Sequence, residues 1–106
     1  YGLEFYIKKS PKVKALIENL LLPLAGPEVY VQTPQAERAA KSVSFIREMA
    51  GELKKLSGLP MKLSEAGVTE DKLDEIAQAT IDDGAIAFSP VEVSLEEAKG
   101  ILKAAY

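Results

Sequence analysis

Apolar and polar residues alternate in two different rhythms along this chain, and the change of rhythm predicts its elements. At the start Leu3, Phe5 and Ile7 alternate with Glu4, Tyr6 and Lys8, a strand-like period of two that a short helix would also accommodate. Ser10-Pro11 then predicts a helix start, with Ser10 capping and Pro11 at the first helical position. Val13, Leu16, Ile17, Leu20 and Leu21 follow at helical spacing, and Pro23 is expected to stop that helix. Gly26-Pro27 marks a further break.

The next start signal is Thr33 as cap with Pro34 in the first turn. Ala36, Ala39, Ala40, Val43, Ile46, Ala50, Leu53 and Leu56 form one apolar stripe, with Phe45 and Met49 to either side of it. Glu37, Arg38, Lys41, Glu48, Glu52 and Lys55 occupy the other face, and Ser57-Gly58 closes the helix. Its length should be about 23 residues, or roughly 35 Å. After a loop over 59–68, Thr69 is expected to cap a third helix with an acidic first turn, Glu70-Asp71. Leu73, Ile76, Ala77 and Thr80 give its inner face, and Asp82-Asp83-Gly84 ends it. Ser94-Leu95-Glu96-Glu97 reads as a capping box opening a last amphipathic helix through Leu95, Ala98, Ile101, Leu102 and Ala105. The simplest architecture is an all-α bundle of about four helices, expected as a single domain over residues 1–106.

Composition narrows the chemistry. The 106 residues contain no cysteine, which excludes disulfides, thiolate catalysis and cysteine-held zinc or iron–sulfur sites. They contain no histidine, the commonest general base and transition-metal ligand. Sixteen acids against thirteen bases give a net charge of −3, which disfavours nucleic acid as a partner. The densest basic cluster, Lys8, Lys9, Lys12 and Lys14, is most simply a solvated face. No apolar run approaches the ~20 residues of a membrane span, so no membrane partner is expected, and a cytoplasmic location is inferred.

No catalytic constellation emerges either. The carboxylate pairs Glu70-Asp71, Asp82-Asp83 and Glu96-Glu97 each fall at a helix end, where capping and the helix dipole account for them. Ser57, Ser64, Ser89 and Ser94 have no histidine to activate them, and Gly51, Gly58 and Gly67 do not form a phosphate loop. Tyr1, Tyr6, Tyr30 and Tyr106 are too scattered for a base-stacking platform.

The segment Gly58-Leu59-Pro60 with Leu63 and Gly67-Val68, "GLPMKLSEAGV", resembles a stretch near the end of the iron-containing alcohol dehydrogenases. So do the acidic-start helix, the Asp82-Asp83-Gly84 break and the closing "SPVEVSLEEAKGILKAAY", over roughly residues 34–106. The family's usual Asn-Pro-Arg before the last helix is Ser89-Pro90-Val91 here. The resemblance implies an NAD(P)-dependent oxidoreductase fold using iron or zinc. It also implies that Leu21-Leu22-Pro23 stands where the family has a metal-binding histidine next, a position held by Leu24. The expectation is therefore a truncated or degenerate relative, inactive by itself, with no cofactor and no metal bound. The alternative is a stand-alone helical interaction or homo-oligomerisation module. Loss of a companion domain would leave an apolar surface to cover, for which Phe5, Tyr6, Leu22, Leu24 and Phe45 are the candidates.

Overall fold

The computed structural model describes all 106 residues, and every regular element in it is helical. There are six α-helices rather than about four: α1 Gly2–Lys9, α2 Pro11–Asn19, α3 Leu21–Gln32, α4 Gln35–Ser57, α5 Leu73–Asp82 and α6 Leu95–Ala105. Short 3₁₀ turns at Glu70–Lys72 and Gly84–Phe88 flank α5. The chain divides into two compact units, Gly2–Leu59 with α1 to α4 and Pro60–Tyr106 with α5 and α6.

Both extra helices, α1 and α3, come from the first third of the chain. The alternating start forms α1, because a lone extended segment has no neighbouring strand for its backbone groups, whereas a helix pairs them internally. Ser10 then breaks the chain with φ −138° and ψ 113°, and its hydroxyl accepts from the Val13 amide, the cap its sequence predicts. The next helix ends earlier than Pro23. α2 stops at Asn19, the Leu20 amide bonds back to the Ile17 carbonyl, and α3 begins at Leu21. Pro23 is thus the third residue of α3, in the first turn where a missing amide costs nothing, so it opens a helix instead of closing one. Gly26, at φ 85° and ψ 167°, bends α3 just before Pro27, a conformation that a residue with a Cβ would hold only under strain.

Thr33 also departs from expectation. Its hydroxyl donates to the Val29 carbonyl at 2.6 Å, finishing α3, and α4 starts at Gln35 without a side-chain cap. α4 has the expected 23 residues and ends on Gly58 in the left-handed region at φ 71°. Within the first unit α4 packs against α2, α3 and α1. The buried centre is Val13 and Ile17 from α2, Leu21 from α3, and Ala39, Ser42 and Val43 from α4. Arg38 ties α3 to α4 twice: its guanidinium lies 4.0 Å above the Tyr30 ring, and its Nε donates to the Thr33 carbonyl.

In the second unit α5 and α6 pack on each other over Leu73, Ala77 and Ala98. The Ser94 capping box is formed in both directions, Ser94 Oγ accepting from the Glu97 amide and Glu97 from the Ser94 amide. Thr69, by contrast, makes no side-chain cap; the first turn after it is 3₁₀, closed by the Lys72 amide on the Thr69 carbonyl. Residues 62–68 form one turn ended by Gly67 at φ 85°. The Val68 amide bonds to Leu63 and the Gly67 amide to Ser64, the paired bonds of a Schellman ending. The same turn closes the far end of α6: the Leu63 amide donates to the Ala105 carbonyl and the Ser64 hydroxyl to the Tyr106 carbonyl.

Leu21→Ala should destabilise the chain by about 3 kcal/mol, because Leu21 is wholly buried, whereas Leu22→Ala should change stability by under about 1 kcal/mol. Urea denaturation followed by circular dichroism separates the two. Equal losses would disprove the assignment of Leu21, rather than Leu22, to the core. In the same assay Ser94→Ala should cost about 1 kcal/mol.

Candidate functional site

The longest helix carries the most exposed apolar surface that is ordered in sequence. Ala39 and Val43 in its first half are 0% and 6% exposed. Further along the same helix Met49, Leu53 and Leu56 are 50%, 53% and 84% exposed. Residues four and three apart share a helix face, so these three form a continuous strip. Leu53 and Leu56 belong to the stripe that the sequence assigns to the core, and they are on the surface instead, as are Ala36 and Ala40. The reason is length: α2 and α3 are 9 and 12 residues against 23 for α4, so they bury only part of it. Leu16 and Leu20 of the predicted inner face are exposed for the converse reason, since the α2 surface toward α4 is filled by Val13 and Ile17.

The five candidate surface residues are distributed over three helices. Phe5 and Tyr6 on α1 are half-buried and contact each other, ring centres 5.6 Å apart at 57°, with the Lys9 ammonium 5.3 Å from the Phe5 ring. Phe45 on α4 and Leu24 on α3 are half-buried too, and Leu22 is 45% exposed. Leu24 is thus partly enclosed, whereas Leu21 on the same helix is wholly buried. Met49, Leu53 and Leu56 were the stronger surface and could not be found from helical periodicity, which marks an apolar face without saying what covers it.

Each unit has a hollow in its surface. The first, about 420 Å³, lies between α1 and α4 and is lined by Ile7, Ala40 and Val43 together with Glu4, Lys8, Ser44 and Arg47. Arg47 Nη2 sits 2.7 Å from Glu4 Oε2 across it. The second, about 340 Å³, is bordered by Val68, Thr69, Lys72, Glu75 and Ile76, with Lys72 Nζ held by Glu75 at 2.8 Å. That hydrogen bond raises the Lys72 pKa above the ordinary lysine value. The charged side chains of this second hollow, Lys72 and Glu75, are thus paired with each other. No group of three or more Asp, Glu, His or Cys residues could hold a metal ion, and no helix is long and apolar enough to cross a membrane.

Comparisons with protein-family profiles, with curated proteins and with solved structures found no match to this chain.

Lys99 on α6 bridges to Asp74 on α5 at 3.4 Å and to Glu96 at 3.5 Å. The hydrogen bond to Asp74 is the largest influence raising its pKa above the ordinary lysine value. A raised folded-state pKa favours the fold below the unfolded value, and the benefit disappears as pH rises through the folded one. Asp74→Asn should lower the Lys99 pKa toward that of a free lysine, measured by NMR titration of the lysine side-chain resonances. An unchanged titration would show that Asp74 does not hold it.

Proposed function

We propose that this chain is a non-catalytic helical domain of the iron-containing alcohol dehydrogenase type that acts by association, pairing α4 with α4 of a second copy. The observation that carries the association reading is the strip Met49, Leu53 and Leu56, which continues the buried face of α4 past the helices that cover it. Around the helix axis the apolar arc from Phe45 to Ala50 is bordered by Glu52 on one side and Lys54 on the other. Two such helices side by side in parallel bring an acidic edge to a basic edge, which favours a second copy as the occupant.

The family reading is supported by the arrangement of the stretches that carry the resemblance. Gly58 ends the long helix in the left-handed region, Gly67-Val68 closes a Schellman turn, and Ser94 caps the last helix. Within the second unit the turn over 62–68 and the end of α6 are hydrogen-bonded to each other through Leu63 and Ser64. These positions are backbone punctuation and carry no chemistry, so the resemblance bears on descent and not on activity.

Light scattering of the purified chain across a concentration series tests association. A defined oligomer that Leu53→Glu with Leu56→Glu converts to monomer is the expected result; both side chains are exposed, so the fold should survive the change. A monomer at high micromolar concentration would overturn self-association. Elemental analysis of chain purified without chelator tests the non-catalytic part, and stoichiometric iron or zinc would overturn it. A reading frame that continues upstream into a glycine-rich βαβ unit would support the family assignment.

A further inference from the structure

We propose that the hollow between α1 and α4 binds a small amphipathic carboxylate, with its apolar body against Ile7, Ala40 and Val43 and its head group at Arg47 and Lys8. At about 420 Å³ the hollow is within the size range of small-molecule sites, and it combines an apolar lining with a few convergent polar groups. Its charges decide the ligand. Lys8 and Arg47 supply two positive charges to the lining and Glu4 one negative, a formal excess of one positive charge. A monoanion balances the site, whereas a dianion such as a phosphate ester would set its second charge against Glu4.

A carboxylate is already bound to the guanidinium. Arg47 Nη2 lies 2.7 Å from Glu4 Oε2, the length of a charge-assisted hydrogen bond, so Glu4 stands where a ligand head group would stand. The Arg47 and Glu4 side chains are 47% and 39% exposed, and an ion pair so open to water is weakly held. An incoming carboxylate can therefore exchange with Glu4 on Arg47, and Ser44, one turn earlier on α4, adds a hydroxyl donor beside it. Ala40, Ser44 and Arg47 recur at spacings of four and three, which aligns the apolar and polar parts of the hollow along one face of α4. The sequence assigns Ala40 and Val43 to the apolar stripe of α4, and α1 brings Lys8 and Glu4 beside them.

The test is an amide-resolved NMR titration of the whole chain with sodium octanoate, with octanol and sodium sulfate as controls for tail and charge. Octanoate should give saturable shifts at Ile7, Ala40, Val43, Ser44 and Arg47 with a Kd below about 1 mM, and each control should bind at least about tenfold more weakly. Arg47→Gln should weaken octanoate binding by about tenfold or more. Glu4→Gln should strengthen it several-fold, by removing the competing carboxylate. Ala40→Phe places a ring in the hollow from an exposed position and should abolish binding with the helical circular dichroism unchanged. Octanol binding as tightly as octanoate, octanoate binding unaffected by Arg47→Gln, shifts confined to Met49, Leu53 and Leu56, or no saturation by about 10 mM would each overturn the proposal.

Discussion

The packing of α2 onto the first half of α4 depends on one small residue, Ser42. It is wholly buried, and its hydroxyl lies 3.1 Å from the Ile17 carbonyl of α2 and 2.9 Å from the Arg38 carbonyl of its own helix. With Ala39 one turn before it, Ser42 lets the two helices approach closely enough for Val13, Ile17 and Leu21 to close over Val43. The Ile17 carbonyl lies in the last turn of α2, where the helix has no further amides to offer. It is satisfied by Ser42 and by the Leu20 amide, and no buried side-chain polar atom in the molecule lacks a partner. The break at Leu20 is thereby made compatible with a buried interface.

Most of the remaining arrangement in the first unit follows from that contact. Because α2 is short and is seated against the first half of α4, the second half extends past it with its apolar side chains facing water. The same geometry sets α1 beside α4 with a hollow between them, since α1 is reached through a sharp break at Ser10-Pro11. The apolar strip thus follows from the mismatch in helix length, and the mixed hollow from the break between α1 and α2. The strip is the basis of the proposed association, and the hollow, with its mixed apolar and charged lining, that of the proposed ligand site.

The second unit is organised by ends of helices more than by faces. Its fully buried side chains are few, Leu73, Ala77 and Ala98, and its definition comes from hydrogen bonds at termini. The Ser94 box starts α6, the Leu63 and Ser64 groups finish it, and Gly67 turns the chain toward α5. These are the residues on which the proposed family reading rests. A serine cap or a left-handed glycine meets a demand that every helix end makes, so such residues recur at given spacings wherever helices of similar length are joined.

Local chemistry was the legible part of this chain. Ser10 and Ser94 as caps, Gly58 as a left-handed stop, the 23 residues of α4 and the end of α5 at Asp82 all depend on groups within a few residues of one another, so a short window of sequence contains the whole cause. The errors share a different physical origin. Pro23 and Thr33 are each compatible with the end of one helix and the start of the next, and the choice between them was made by where Leu21 and Ser42 could be buried. Leu53 and Leu56 carry the same pattern as Ala39 and Val43, yet lie in water because no other helix of their unit is long enough to reach them. The sequence by itself determined that the chain is helical and where most helices begin and end, because capping and periodicity are local. Only the tertiary structure decided which apolar residues are core and which are surface, because burial depends on a partner whose length and position are encoded elsewhere in the chain.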